Sequence, residues 1–354
     1  MKVLDFQHGR IVFSRQSLKM EPSLPDKVQA GAQYFHFEEG VGFQEAGFFD
    51  FDALAKDLEK KEFAWLHLSG SVSDEFFGHL KRFADMSDEQ LKMLKFPHGK
   101  PAYEEYSNGV FWSMQRPFVT ESTDAIENVN FYMTEKVLFT RQFSQDAAFN
   151  LVSHRMMAKG NTLTGMSVDR LAASLIDDVL QSYVEFLSVG GAKLESIQNK
   201  IIRRPGSEEL HLINSAQQMI WIFLKTVWPL ETLLQGMVRS KSHIITEAGS
   251  DELKFCLAEA NSVIALFDIY RQMSYDLMDV YVSGLGLRTN KTTMILTVIA
   301  TLFLPPSLIA GIYGMNFTIP EIHLAFGYYF ALSAMLVVSG GLLIWLKLRG
   351  YIEF

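Results

Sequence analysis

The sequence predicts an α+β domain, then long stalk helices, then two C-terminal transmembrane helices. Three observations predict it. Strand-like runs fall within residues 1–165, helical periodicity dominates 166–290, and two apolar segments occupy 291–354. Hydrophobic residues make up 48% and charged residues 20% of the 354. That mixture fits a large water-facing part carrying a small membrane part.

In the first region, Ala64-Trp65-Leu66-His67-Leu68 reads as a short buried strand. Gly109-Val110-Phe111-Trp112-Ser113-Met114, Val129-Asn130-Phe131-Tyr132-Met133 and Val137-Leu138-Phe139-Thr140 are further strand-like runs. One charged, helix-like stretch over 74–94 lies between the first two. Strands broken by helices define an α/β or α+β arrangement. His67, inside a strand, reads as a structural residue.

From 166 onward the apolar period becomes three and four. A first long helix is expected over 167–203, with Ser167 as its N-cap. Pro205 and Gly206 break it. A second should run over 208–242, with Pro229 as a kink point. A third should begin near Asp251 and pass unbroken into the membrane as a stalk. Val263, Leu266, Tyr270, Met273, Leu277 and Val280 form its expected packing seam. Trp221 and Trp228 are expected to pack between stalk helices.

The two apolar segments span about 291–312 and 326–346. Each is near the ~20 residues that cross a hydrocarbon core. The second carries no charge. The first holds Pro305 and Pro306 mid-span, which a membrane helix tolerates where the carbonyls they free find partners. Arg288 and Lys291 precede the first span, Lys347 and Arg349 follow the second, and the loop 317–325 has neither Lys nor Arg. The positive-inside rule then puts both termini in the cytoplasm and the loop, with Glu321 and His323, outside. Met1-Lys2-Val3-Leu4-Asp5 has no apolar run, so no signal peptide is expected.

Forty acidic against 32 basic residues leave a net charge of −8. That argues against nucleic acid as a partner, because phosphate binding needs a basic face. An acidic surface gathers cations, and it equally serves ordinary solubility. The single cysteine, Cys256, excludes an internal disulfide framework and a cysteine-rich zinc site. No nucleophile elbow, phosphate-binding loop or HExxH pattern is present, so an enzyme is not expected.

One face of the first span carries Asn290, Thr293, Thr297, Ala300, Leu304, Ser307, Gly311 and Gly314 at spacings of three and four. All but Leu304 are small or polar. Such a stripe either packs helices closely or lines a water-filled path. Two helices cannot enclose a pore, so conduction would need several copies around an axis. Asn316 would then recur once per subunit at the outer mouth. Neutral amide oxygens suit Mg²⁺, which gives up its waters reluctantly. Leu304 would form an apolar ring able to gate by dewetting.

Ile309-Ala310-Gly311-Ile312-Tyr313-Gly314-Met315-Asn316-Phe317 resembles the signature of the CorA family of magnesium and cobalt channels. Thr226-Val227-Trp228-Pro229-Leu230, Asp279-Val280-Tyr281, Thr297-Val298-Ile299-Ala300-Thr301, Trp65-Leu66-His67-Leu68 and Val137-Leu138-Phe139-Thr140-Arg141 also resemble family positions, so the likeness touches most of the chain. It implies a homopentamer with a funnel-shaped cytoplasmic domain, seated in the cell inner membrane. It implies a selectivity filter at Gly314, Met315 and Asn316, formed by the Asn316 side chain and the Gly314 carbonyl. Pore-facing family positions fall on Asn290, Thr293, Leu296, Thr297, Ala300, Leu304, Ser307 and Gly311. The family's outer loop commonly reads Met-Pro-Glu-Leu; here it departs to Ile319-Pro320-Glu321-Ile322, one residue nearer the tripeptide. The resemblance also implies a cytoplasmic regulatory Mg²⁺ site. Its expected stalk acid falls on Phe255, and Asp251, Glu252 and Glu259 are the nearby candidates. The transported ion is then Mg²⁺, with Co²⁺ or Zn²⁺ also possible. A ZntB-like zinc transporter and a non-conducting, membrane-anchored metal sensor are the competing readings. Met315, Pro320 and Glu321 favour the magnesium channel.

Overall fold

Among the described residues, seven strands form one mixed sheet. They are β1 (Ala32–Glu38), β2 (Gly42–Ala46), β3 (Phe63–Leu68), β4 (Ala102–Tyr106), β5 (Gly109–Val119), β6 (Asp124–Met133) and β7 (Val137–Gln142). Their spatial order is β2-β1-β3-β7-β6-β5-β4. This computed structural model describes residues 32–38, 42–46, 51, 58, 62–119, 124–144, 149–159, 165–203, 205–316 and 326–351. The central strands β3 and β7 run parallel, with Leu66 opposite Phe139, and every other pairing is antiparallel. Both central strands are buried at all six positions. A strand covered on both faces favours apolar residues at successive positions, and the polar ones buried here, His67, Thr140, Arg141 and Gln142, each find hydrogen-bond partners.

Two short helices cover one face. The stretch expected as one helix over 74–94 is instead two, α1 (Asp74–Phe83) and α2 (Asp88–Lys95). The break has a local cause. Asp85 takes a φ of 47°, and Ser87 then closes a reciprocal capping box with Gln90, with bonds of 3.2 and 2.7 Å. Both helices begin with two acids and end with lysines or arginines, which complements their dipoles. Phe76, Phe77, Leu80 and Leu94 pack there against Leu66, Phe111, Tyr132 and Phe139.

The opposite face holds Trp65, His67, Trp112 and Phe131. Trp112 and Phe131 stack at 4.8 Å. The Trp65 indole donates to the Thr140 hydroxyl at 2.9 Å, and that hydroxyl lies 2.8 Å from His67 Nδ1. Thr140 accepts from the indole and keeps its own proton available for the histidine. Burial, and then the nearby Arg141 cation, push the His67 pKa down to about 4. The imidazole is therefore neutral near pH 7, which suits an acceptor role for Nδ1.

The remaining helices are α3 (Asn150–Lys159), α4 (Val168–Arg203), α5 (Ser207–Val238), α6 (Glu247–Tyr313) and α7 (Gly327–Leu348). α5 runs through Pro229 without ending and stops at Val238, short of the expected 242. α6 starts at Glu247, four residues ahead of the expected Asp251, because Thr246 caps it. The Thr246 hydroxyl receives the Gly249 N–H at 3.1 Å.

That cap is itself held by a buried carboxylate. Asp169, in the first turn of α4, is only 2% exposed. One of its oxygens accepts from both the Thr246 N–H and hydroxyl at 2.7 Å each. The other accepts from the Ser167 hydroxyl and from the Arg170 N–H. Ser167 sits at the cap position of α4, its carbonyl receiving the Leu171 N–H at 3.0 Å. Its hydroxyl turns to Asp169 instead of bonding the helix. A Cβ on Gly249 would collide with the Asp169 carboxylate. Glycine is therefore required there for close approach.

The seam of α6 differs in part from the expected one. Val263 and Leu277 are buried as expected, together with Leu253, Cys256, Ala260, Phe267, Ser274 and Tyr281, whereas Met273 is 40% exposed. Phe267 takes the place expected of Leu266, stacking on Phe223 at 6.1 Å and meeting Tyr183 edge-on at 6.1 Å. Ser274 occupies the next position with its hydroxyl turned back onto the Arg271 carbonyl at 2.6 Å. Trp221 and Trp228 do not pack between helices. They pair edge-to-face at 5.7 Å and stay 45% and 41% exposed. The phenylalanines at 223 and 267 fill the space instead.

The chain divides into two units, Met1–Asn199 with Ser207–Leu277, and Lys200–Gly206 with Met278–Phe354. The first contains the sheet and its helices. The second contains the last part of α6 and all of α7.

Candidate functional site

In the second unit, α6 and α7 are each long and apolar enough to cross a membrane. Aromatic residues mark both ends of α7. Tyr328 and Tyr329 meet edge-on at 5.7 Å near its start, and Trp345 lies under the Arg349 guanidinium at 5.8 Å near its end. Such amphipathic rings sit at the two membrane–water interfaces.

Val298, Thr301, Leu302, Pro305, Pro306, Ile309 and Tyr313 of α6 are half-buried, recurring at helical spacing. Ser339 of α7 donates to the Leu302 carbonyl at 3.2 Å, so this is the face that α7 covers. Asn290, Thr293, Leu296, Thr297, Ala300, Leu304, Ser307 and Gly311 are all exposed, Leu296 at 66% and Leu304 at 69%. At 100° per residue, the two sets lie roughly 150° apart around the helix. The polar stripe is therefore not spent on packing within the hairpin.

The stripe hydroxyls have a defined polarity. Thr297 Oγ1 donates to the Thr293 carbonyl and Ser307 Oγ to the Phe303 carbonyl, each at 2.8 Å. A hydroxyl whose proton is committed to its own helix offers lone pairs outward. Those suit a cation or the protons of its hydration shell.

At the end of the stripe the helix closes with Gly314 N–H on the Ala310 carbonyl at 2.9 Å and Met315 N–H on Ile312 at 3.2 Å. Gly314, Met315 and Asn316 are exposed beyond it. A helix C-terminus carries partial negative charge and favours cations. Glu321 and His323 lie outside the described residues.

The three stalk acids lie in the first unit. Asp251 is paired with Lys254 at 2.7 Å on the surface. Glu252 is held by Arg170 at 2.6 Å, each side chain about one-third exposed. Glu259 faces a cleft of about 470 Å³ that it shares with Asp177, Glu252, Phe255 and Arg155. The structure therefore brings Glu252 and Glu259 to one cleft and leaves Asp251 outside it. Phe255 is 76% exposed on the cleft wall. No group of three or more His, Cys, Asp or Glu that could hold a metal occurs among the described residues.

Comparison with known proteins decides the family. The model of the CorA-like Mg²⁺ transporter protein family matches residues 60–348. The chain belongs to this family. The cobalt/magnesium transport protein CorA of Thermotoga maritima is 23% identical over 291 residues, covering 81% of this chain and 83% of that protein. The complete CorA magnesium transporter structure from Methanocaldococcus jannaschii superposes with a TM-score of 0.75 at 18% identity, over 92% of this chain and all of that one. The ZntB cytoplasmic domain from Vibrio parahaemolyticus gives 0.57 at 10% identity, over 72% of this chain and 97% of that one. Membership makes the chain a divalent-metal transport protein rather than an enzyme. Its fold is that of a full CorA subunit, with an α/β domain, a long helix and two apolar C-terminal helices.

Two features of the site escaped sequence reasoning. The Arg170–Glu252 pair joins residues 82 apart in sequence, and only the packing of α4 beside α6 brings them together. The Ser339 contact is the other. Its chemical need was visible in Pro305 and Pro306, but its donor was not.

Proposed function

We propose that five copies of this chain form a channel that takes up Mg²⁺, and also Co²⁺, across the cell inner membrane, with both termini in the cytoplasm. Residues 1–165 form the cytoplasmic domain, 166–290 the stalk and 291–354 the membrane hairpin. The stripe lines the axis. A hydrated ion meets Gly314, Met315 and Asn316 first, with Glu321 on the outer loop gathering cations, and then passes the Leu304 ring. The observation that carries this reading is the exposed stripe on the face of α6 opposite α7, ending at Gly-Met-Asn. Five such faces around an axis would enclose a polar path, and the lipid-facing and neighbour-facing sides would stay apolar.

The stalk acids fit a regulatory metal unequally. Asp251 and Glu252 already neutralise Lys254 and Arg170. Glu259, with Asp177 across the cleft, is the remaining candidate.

The stripe is tested by single cysteines in a Cys256→Ala background, since Cys256 is the chain's only cysteine. A water-soluble thiol reagent should block Mg²⁺ flux through Ala300→Cys, Leu304→Cys and Ser307→Cys. Val298→Cys and Ile309→Cys, on the covered face, should remain insensitive. The reverse pattern would remove the reading.

A further inference from the structure

Consecutive prolines place one carbonyl of α6 in an unusual position. A helical carbonyl normally accepts the N–H four residues on, or three residues on where the turn tightens. For Leu302 those residues are Pro306 and Pro305, and neither has an N–H. Thr301 loses its partner at Pro305 but keeps the N–H of Leu304 within 3₁₀ reach. Leu302 keeps no regular donor at all. In hydrocarbon there is no water to replace it, so a partner has to come from another side chain. The structure supplies one: Ser339 Oγ of α7 lies 3.2 Å from the Leu302 oxygen. Gly340 and Gly341 follow Ser339 in sequence, and small residues let helices approach closely in a membrane.

We propose that Ser339 is a positioning residue for ion transport. Its hydroxyl replaces the N–H that the two prolines deny to Leu302, and so fixes where the next turn of α6 presents Leu304 and Ser307. Leu304 lies two residues from Leu302, about 200° around the helix. A carbonyl pinned on the α7 side therefore sets the orientation of the stripe on the other side. This proposal rests on the stripe lining the ion path. Without the hydroxyl, the Leu302 carbonyl has to shift toward the Ser307 N–H five residues on, which rotates that turn.

The test is Mg²⁺ influx into proteoliposomes, read with an entrapped Mg²⁺-sensitive dye. Ser339→Ala should lower the maximal rate about fivefold, the scale of one interhelical hydrogen bond. The Mg²⁺ concentration for half-maximal rate should hold, because Gly314, Met315 and Asn316 are untouched. Ser339→Thr, which keeps the hydroxyl, should restore the rate. Pro306→Ala returns an N–H to the Leu302 carbonyl, so Ser339→Ala added to Pro306→Ala should have little further effect. Should Ser339→Ala prevent assembly, the double variant is expected to restore it. An unchanged rate in Ser339→Ala overturns the proposal, and so does an equal loss in the Pro306→Ala background. Thermal stability of the same four variants reads the Ser339–Pro306 coupling independently of flux. Coupling in stability without coupling in rate leaves the hydrogen bond and removes its positioning role. Mg²⁺ flux that survives Asn316→Ala would instead remove the pore reading.

Discussion

Asn316→Ala is expected to bring Mg²⁺ influx to background while the protein still assembles. The side chain is exposed just beyond the end of α6, so its truncation is expected to leave the fold intact. In the proposed ring of subunits it would supply a set of amide oxygens where the ion leaves bulk water. Mg²⁺ holds its inner waters tightly, so such a ring would act on the hydrated ion through hydrogen bonds to those waters. Alanine removes every such acceptor at once. The C-terminal dipole of α6 still attracts cations but does not distinguish among them. Size-exclusion chromatography of the variant should match the unaltered protein, and dye-reported influx should not. Retained influx would place selection elsewhere.

The second large effect concerns stability. Asp169→Ala should destabilise the first unit by about 3 kcal/mol, combining a lost helix cap with buried donors left unpaired. The carboxylate accepts from Thr246 twice, from Ser167 and from Arg170. Its loss frees the start of α6 as well as the first turn of α4. The apparent melting temperature of the full protein in detergent should fall by about 5–10 °C. Asp169→Asn keeps one acceptor oxygen and should lose less. Gly249→Ala should act in the same direction, because its methyl group would collide with the carboxylate. A melting temperature unchanged in Asp169→Ala would contradict the bracket described here.

The parts legible in the sequence were those that a single element encodes. β3 announces itself by five apolar residues of six, and β7 by its apolar start Val137-Leu138-Phe139, although Thr140, Arg141 and Gln142 are buried as well. The stripe is legible because its small and polar residues stand out against an otherwise apolar helix. The stalk seam held at Val263 and Leu277 but slipped between them, where Ser274, a polar residue, occupies a buried position and Met273 beside it looks the better candidate. The break within 74–94 was readable in principle from Ser87 and Gln90, whose reciprocal bonds begin the second helix. β2 and β4 have five residues each, and β4 buries none of them, while β1 interleaves Gln33, His36 and Glu38 with its apolar residues, so none of the three presents an apolar run. Glu252 with Arg170 and Ser339 with Leu302 depend on packing between helices, which no local pattern reports.

The most direct measurement is ion flux into proteoliposomes of the purified protein, with Mg²⁺, Co²⁺ and Zn²⁺ compared, with and without a proton gradient. The account predicts Mg²⁺ and Co²⁺ influx that follows an inside-negative potential and needs no proton gradient. Zn²⁺ uptake that requires protons, with no Mg²⁺ flux, would contradict it, as would the absence of flux for all three ions.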